Sequence, residues 1–460
     1  MEDEVMVDIK TMIGDSGYGY LSPDCCISRV IHTARDIKPD AYTPKFVSIG
    51  PFHYGNERLQ EMERHKQAFL KRFTQRSSTE LDVIINFVRS SVTKVRASYS
   101  ENINLSDKEL VKLILLDAAF IIEFLFIMHY KQEILIDAKL SQQPLIGILP
   151  LDLVLFENQL PFSILEELFN IAFPPNLRDD GITFLKLASW FFSATFHLEE
   201  PKHDLDNVSV KHFTDLLRFL LLQGAPPEEM EPLSYTTQVL SYSAKELQEF
   251  GVKLKASKSK SPLDIKFSGY VLELPQILAM VLVTEALFFN MIAFEQIHCP
   301  VTSYITGYAI VWSRLIATKE DVDVLVDNEI VRNYLVNTEV VELFGIMVRN
   351  AGILMLNSEY LDIFKRLNKF CENSLRRSKA SLIRDYCRTP WQTVASFAGI
   401  ILLILTILQT ILSIFQHCIF ANKLIPNIEA PVFLAHKTLV FRTLHKAQML
   451  LRQWDGDGSR

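Results

Sequence analysis

The stretch from Val394 to Phe415, VASFAGIILLILTILQTILSIF, runs for 22 residues without one formal charge. At about 1.5 Å of rise per residue, a helix of that length crosses the ~30 Å hydrocarbon core of a bilayer. A second apolar run, Leu113 to Met128, is shorter and carries Asp117 and Glu123. Each carboxylate would cost about 2.5–3.5 kcal/mol at the centre of a membrane helix. The second run therefore reads as the core helix of a folded body, and the first, with 391–415 as its outer limits, as a single transmembrane segment.

The flanks give an orientation. Arg376, Arg377, Lys379, Arg384 and Arg388 precede the span, whereas Lys423 is the only cation soon after it. The positive-inside rule then places the N-terminal body in the cytoplasm, at the plasma membrane or an endomembrane. The opening Met1-Glu2-Asp3-Glu4 leads into no apolar run of signal-peptide type, in keeping with a cytosolic start. The same basic cluster, extended by Lys365, Arg366 and Lys369, has two readings. It contacts anionic lipid, at about 1 kcal/mol per near-surface charge, or it only sets topology. Inside the span Gly399, Thr406 and Ser413 recur every seven residues, with Gln409 and Thr410 beside them. Such a stripe permits close helix approach and so homo-association or pairing with another helix. Alternatively its hydroxyls bond carbonyls of their own helix.

The rest of the chain reads as a large, mainly α body, in one piece or two lobes near 23–195 and 266–390. Residues 1–22 form a loose glycine-rich arm, and 40–55 is extended and looped around Phe46-Val47-Ser48-Ile49. From Glu57 an amphipathic helix carries Leu59, Met62, Phe69, Leu70 and Phe73. Ser106-Asp107-Lys108-Glu109 is a capping box opening the apolar Leu110 helix. Residues 150–170 read as helix, a break before Pro161, and helix. Between about 196 and 265 the composition turns polar, as in a flexible connection or variable insert. Helical patterns return over Glu273–Gln296 and Asp321–Lys369, with short strands near Phe46 and Phe267. The tail 416–460 has an amphipathic pattern in Val440, Leu444, Ala447, Leu451 and Trp454.

A net charge of −7 gives no reason to seek nucleic acid as a partner. Six cysteines without C-x-x-C spacing signal neither a disulfide scaffold nor a zinc ribbon. No phosphate loop, dinucleotide fingerprint or zinc-protease motif occurs, so no cofactor, metal or catalytic residue is assigned. The strongest polar candidates are Glu157-Asn158-Gln159 and Glu295-Gln296, with Glu285 and Asn290 nearby, because carboxylates and carboxamides beside apolar helices are expensive unless paired. One reading has them bond backbone at the break before Pro161 and lock helices together; the other is a ligand site. Asn104-Leu105-Ser106 and Asn207-Val208-Ser209 are glycosylation sequons that a cytoplasmic body leaves unmodified.

Several segments in order carry a resemblance. They are Tyr42-Thr43-Pro44 with Val47 to Gly55 (VSIGPFHYG), Leu59 to Lys66 (LQEMERHK), Phe156 to Phe162 (FENQLPF), Phe289 to Gln296 (FNMIAFEQ), and Pro390-Trp391 with Thr406 and Gln409-Thr410. Together they resemble the plant domain-of-unknown-function 247 family over about 27–415. Departures are Val30-Ile31 where the family usually has Val-Pro, and Asp117-Ala118-Ala119-Phe120 where it has Asp-Gly-Cys-Phe. The resemblance implies a helical cytosolic domain with a C-terminal membrane anchor and no assigned enzymatic chemistry. Some grass members are associated with pollen–stigma self-recognition, which implies recognition or signalling through an unknown protein partner. The alternatives are an enzyme with an unrecognised active site, or a structural membrane tether.

Overall fold

The structure is a computed structural model. It describes residue 6 and residues 22–130, 143–174, 181–199, 205, 208–222, 230–232, 239–259, 261–279, 281–349, 355–372 and 390–424. Two compact units divide the chain, Met1–Ala380 and Ser381–Arg460.

The first unit is mainly helical, as the periodicity predicts. Its N-terminal part holds α1 (Gln60–Arg76), α2 (Leu81–Ala97), α3 (Asp107–His129), α4 (Gln143–Leu153), α5 (Phe162–Ala172) and α6 (Phe184–Thr195). The expected capping box starts α3: Glu109 N–H donates to Ser106 Oγ, and Ser106 N–H returns a bond to the Glu109 carboxylate. From Asp117 to Ile127 every residue of α3 is buried, so the helix is enclosed on all sides. It packs along α1, α2, α5 and α6. Phe120 meets Phe69 edge-on at 4.9 Å, and Phe126 meets Phe173 at 5.1 Å. Such ring pairs contribute about 0.5–1.5 kcal/mol beyond their buried area.

A charged pair of positions inside this helix is answered from α1. Lys66 lies on the buried face of α1 with Met62, Phe69 and Phe73, and its Nζ is 2.6 Å from Asp117. One turn and more further on, Arg76 and Arg72 hold Glu123 at 3.0 and 3.3 Å. This explains how α3 can be both central and acidic.

The later part comprises α7 (Phe213–Leu221), α8 (Asn290–His298), α9 (Tyr304–Leu315), α10 (Lys319–Asp327), α11 (Asn337–Arg349) and α12 (Ser358–Cys371), with seven short strands among the described residues. Strands β2 (Lys253–Ala256) and β4 (Val271–Leu274) pair in parallel, and β4 pairs antiparallel with β3 (Lys266–Ser268). Strand β5 (Ile277–Ala279) pairs in parallel with β6 (Val331–Asn333). Strand β1 (Met230–Pro232) pairs antiparallel with β7 (Met355–Asn357). One continuous apolar core joins both parts of the unit.

Three expectations are revised. The Glu273–Gln296 helix is shorter at its start: Glu273 lies in β4, Pro275 ends that strand, and helix begins at Val281. Asp321–Lys369 is three helices separated by β6 and β7. Within the polar stretch 196–265, α7 buries Phe213, Leu216, Leu217 and Leu220 in the core, because its nine residues put one strongly apolar face inward. Phe267 sits in a strand as predicted, whereas residues 46–49 form no strand.

The second unit contributes α13 (Pro390–Leu424), a 35-residue helix. Its segment Phe397–Gln416 has a mean hydropathy of 2.5, long and apolar enough to cross a membrane, and none of it is buried inside the chain. The basic cluster Arg376, Arg377, Lys379, Arg384 and Arg388, the N-terminal arm and the tail beyond Leu424 lie outside the described residues.

Candidate functional site

Residues 45–50 form an irregular segment outside any strand, whose backbone partners are side chains. Asp152, at the end of α4, accepts the N–H groups of Lys45, Phe46 and Val47 at 2.9, 2.6 and 2.9 Å. Asn158 accepts Ile49 N–H at 2.7 Å, and its amide nitrogen donates to the carbonyls of Val47 and Asp152, both at 2.9 Å. Asp117 accepts Gly50 N–H at 2.8 Å, while Lys66 donates to the carbonyl of Ser48. Four side chains thus do for this segment what neighbouring strands do in a sheet.

The clamp is dry. Asp117, Asp152, Asn158 and Lys66 are each at most 2% exposed. Burial opposes the Lys66 charge, yet Asp117 and Glu63 together hold its ammonium above the ordinary value. Removing either partner would strand a charge in a medium that cannot solvate it.

Gly50 ends the clamped segment with φ +71°, and a Cβ there would sit 2.3 Å from the Gln159 carbonyl oxygen. That carbonyl is already taken by the Tyr99 hydroxyl at 2.7 Å. Only glycine meets both the left-handed backbone and the contact. Beyond it the turn Gly50–Gly55 returns to the surface, where Tyr54 is 46% exposed.

Glu157, Asn158 and Gln159 face three directions. Glu157 is fully buried, accepts Val30 N–H at 2.7 Å, and pairs with Arg35 and with Arg29, the latter at 3.2 Å. Arg29 also lies over the Phe52 ring at 4.4 Å and donates to the Phe52 carbonyl. His53 stands 3.6 Å from Glu157. Burial first, then Arg29 and Arg35, push the His53 imidazole down to about 4, so it is neutral at neutral pH. Gln159 donates to the carbonyls of Leu153 and Leu155, both at 2.7 Å, and accepts Phe213 N–H at 2.9 Å, which fixes α7 to the break.

The candidates on the later helices join from below. Asn290 accepts Phe156 N–H at 3.0 Å and donates to the carbonyls of Ala41 and Ala286. Glu285 has Lys38 Nζ at 2.9 Å. Glu295 pairs with Arg218 at 2.9 Å and accepts the N–H groups of Ile305 and Thr306, so it caps the start of α9. Burial raises its carboxyl above the usual range despite Arg218. Gln296 lies half-buried on α8. Asn158, Gln159 and Asn290 therefore bind one backbone stretch, 152–156, while Glu157, Glu285 and Glu295 hold cations.

Sequence reasoning missed Asp152, Lys66, Asp117, Arg29, Arg35 and His53 as members of this cluster. A signal existed for Lys66, which falls at i+4 from Met62 and i−3 from Phe69 on an otherwise apolar stripe. Asp117 carried the same signal inside α3. For Asp152, whose nearest amide partner in sequence lies 105 residues away, and for Arg29 and Arg35, whose shared Glu157 lies 128 and 122 residues away, no local pattern exists.

In the apolar helix, Gly399, Thr406, Gln409, Thr410 and Ser413 are all exposed. The hydroxyls of Thr406 and Thr410 donate to the carbonyls of Leu402 and Thr406 at 2.7 Å, and a Cβ at Gly399 would meet nothing within 4 Å. Among the described residues no cluster of three or more His, Cys, Asp or Glu is placed to hold a metal.

A family model described as plant protein of unknown function matches residues 27–405. UPF0481 protein At3g47200 of Arabidopsis thaliana is 29% identical over 426 residues, covering 85% of this chain and 87% of that one. Putative UPF0481 protein At3g02645 of the same plant is 30% identical over 130 residues, 28% of this chain and 24% of that one. No solved structure matches. The matched region takes in the clamped segment, the Glu157-Asn158-Gln159 break and the first part of the apolar helix, and the chain belongs to this plant family of unknown function, domain of unknown function 247.

Proposed function

We propose that this protein is a single-pass membrane protein whose helical body lies on the cytoplasmic side and acts by recognition of another protein, not by catalysis. The anchor is supported by Phe397–Gln416, an apolar helix that the rest of the chain does not cover. The basic residues before it and the scarcity of cations after it support the orientation.

Recognition rests on one observation. A buried lattice of Asp117, Lys66, Asp152 and Asn158 holds an irregular segment rigid and delivers the turn Gly50–Gly55 to the surface. Loops held on rigid scaffolds are where proteins place contact residues. Apart from Ser48 Oγ and His53 Nε2, which are buried without a hydrogen-bond partner among the described residues, the polar groups of the cluster are engaged by backbone and by each other, which favours contact over acid–base chemistry. Anchoring would raise the local concentration of the turn near partners in the same membrane. Homo-association through Gly399, Gln409 and Ser413 belongs to the same proposal, with Thr406 and Thr410 turned to their own helix.

Full-length protein tagged at both ends, in microsomes, tests the placement. The expected result is resistance to carbonate extraction, loss of the N-terminal tag to added protease, protection of the C-terminal tag, and no glycan at Asn104. Release by carbonate, or a glycan on Asn104, ends the proposal. Recognition itself predicts that Tyr54→Ala abolishes a membrane contact while leaving the fold intact; a phenotype untouched by replacing the whole turn would favour a tether.

A further inference from the structure

A cavity of about 1570 Å³ opens in the first unit, away from the clamp. One wall is apolar: Leu217 and Leu221 from α7, Leu287 and Phe288, and Ile305 and Tyr308 from α9. The polar part of the lining includes Ser257, Lys258, Ser259 and Ser261, with Arg332 and Tyr334.

Two irregularities of the backbone shape this space. Leu287 and Phe288 belong to Glu285–Phe289, a π-helical turn set between Val281–Thr284 and α8. The inserted residue lets two consecutive large side chains line the cavity half-buried, while Ala286 and Phe289 point into the core. Such turns recur at functional sites. At the rim His197 has φ +54°, a left-handed conformation that ends α6 through the Leu198 N–H to Ser193 carbonyl bond of 2.9 Å. That position usually takes glycine.

The charges on the rim are lopsided. Lys258 and Arg332 are exposed cations that line the cavity, and among the described residues neither is paired with a carboxylate. Among the described residues Glu199 is the single acid on the lining. An apolar wall beside a cationic lip matches a molecule that has both an apolar body and a negative charge.

The geometry points to a binding site for an amphipathic small molecule that carries one anionic group on a long apolar body, with Lys258 and Arg332 at the head and Leu287, Phe288 and Tyr308 along the body. The inference is independent of the recognition reading and would stand if that reading fell.

The test is photo-crosslinking of the full-length protein in lipid nanodiscs with a diazirine-bearing long-chain carboxylate, mapped by peptide mass spectrometry. Label is expected on the peptides around Leu287–Tyr308, competed by excess unmodified carboxylate and at least about tenfold less well by the matching long-chain alcohol. The double variant Lys258→Glu, Arg332→Glu should lower that label about tenfold. Both positions are exposed, so the fold is kept. Ser259→Trp, which crowds the polar wall without changing charge, should lower the label as well. Label confined to 397–416, equal competition by the alcohol, or indifference to the charge reversal would each overturn the assignment.

Discussion

Replacing Asn158 probes the clamp most sharply, because its side chain makes three bonds of opposite sense. Its oxygen accepts one amide, from Ile49, and its nitrogen donates to two carbonyls, of Val47 and Asp152. In Asn158→Leu one buried N–H and two buried carbonyls lose their partner. A stranded buried group costs about 1–3 kcal/mol, carbonyls toward the low end, so the loss should be about 3–5 kcal/mol. Asn158→Asp is nearly isosteric and keeps the Ile49 bond, yet puts a second oxygen against two carbonyls. It should be at least as damaging as leucine, since a carboxylate there is both repelled and desolvated. Urea unfolding of the full-length protein in micelles, followed by tryptophan fluorescence, measures both. If Asn158→Asp lay within about 0.5 kcal/mol of the parent, the amide would not be bridging as described. If either variant folded normally but lost one binding partner, the residue would be part of a ligand site and the structural reading of the cluster would be wrong.

Further outcomes follow from the same geometry. Lys66→Met should destabilise by about 3–5 kcal/mol, because Asp117 stays buried without its cation, and Lys66→Met with Asp117→Asn should recover part of that in a double-mutant cycle. Gly50→Ala should cost more than the ~1 kcal/mol of an ordinary left-handed alanine, since the added carbon meets a backbone carbonyl that holds Tyr99; equal stability by thermal melting would count against the tight approach. Burial pushes His53 down to about 4 and His212 to about 3, whereas the unfolded chain titrates near 6.5. The unfolded state therefore binds more protons below pH 6.5, so stability is full above that value and is lost as pH falls, by about 2 kcal/mol for each histidine at pH 5. His53→Gln should flatten the slope between pH 6.5 and 5, and a slope left unchanged would mean that this ring is accessible to protons in the fold.

Much of the scaffold could be read from residues alone. The uncharged 22-residue run, the capping box at Ser106 and the apolar face from Leu59 to Phe73 are local patterns, and helices respond to local patterns. The Glu157-Asn158-Gln159 triplet stood out for a related reason: such groups between apolar helices demand partners, whichever partners those are. What the triplet holds was not legible. Nothing near Phe46 announces that its strand-like segment would find bonds in Asp152 and Asn158, more than 100 residues later. The polar composition around 196–265 likewise hid α7, whose short apolar face becomes decisive only when Gln159 fixes its first turn and the core closes over it.

Hydropathy and periodicity settled which helix is apolar enough for lipid and that the body is mainly α, because these depend on neighbours three or four residues apart. Tertiary structure decided which buried charges are paired and which backbone groups a side chain must satisfy. It also decided where the cavity opens, since desolvation and close packing act between residues that meet only after folding.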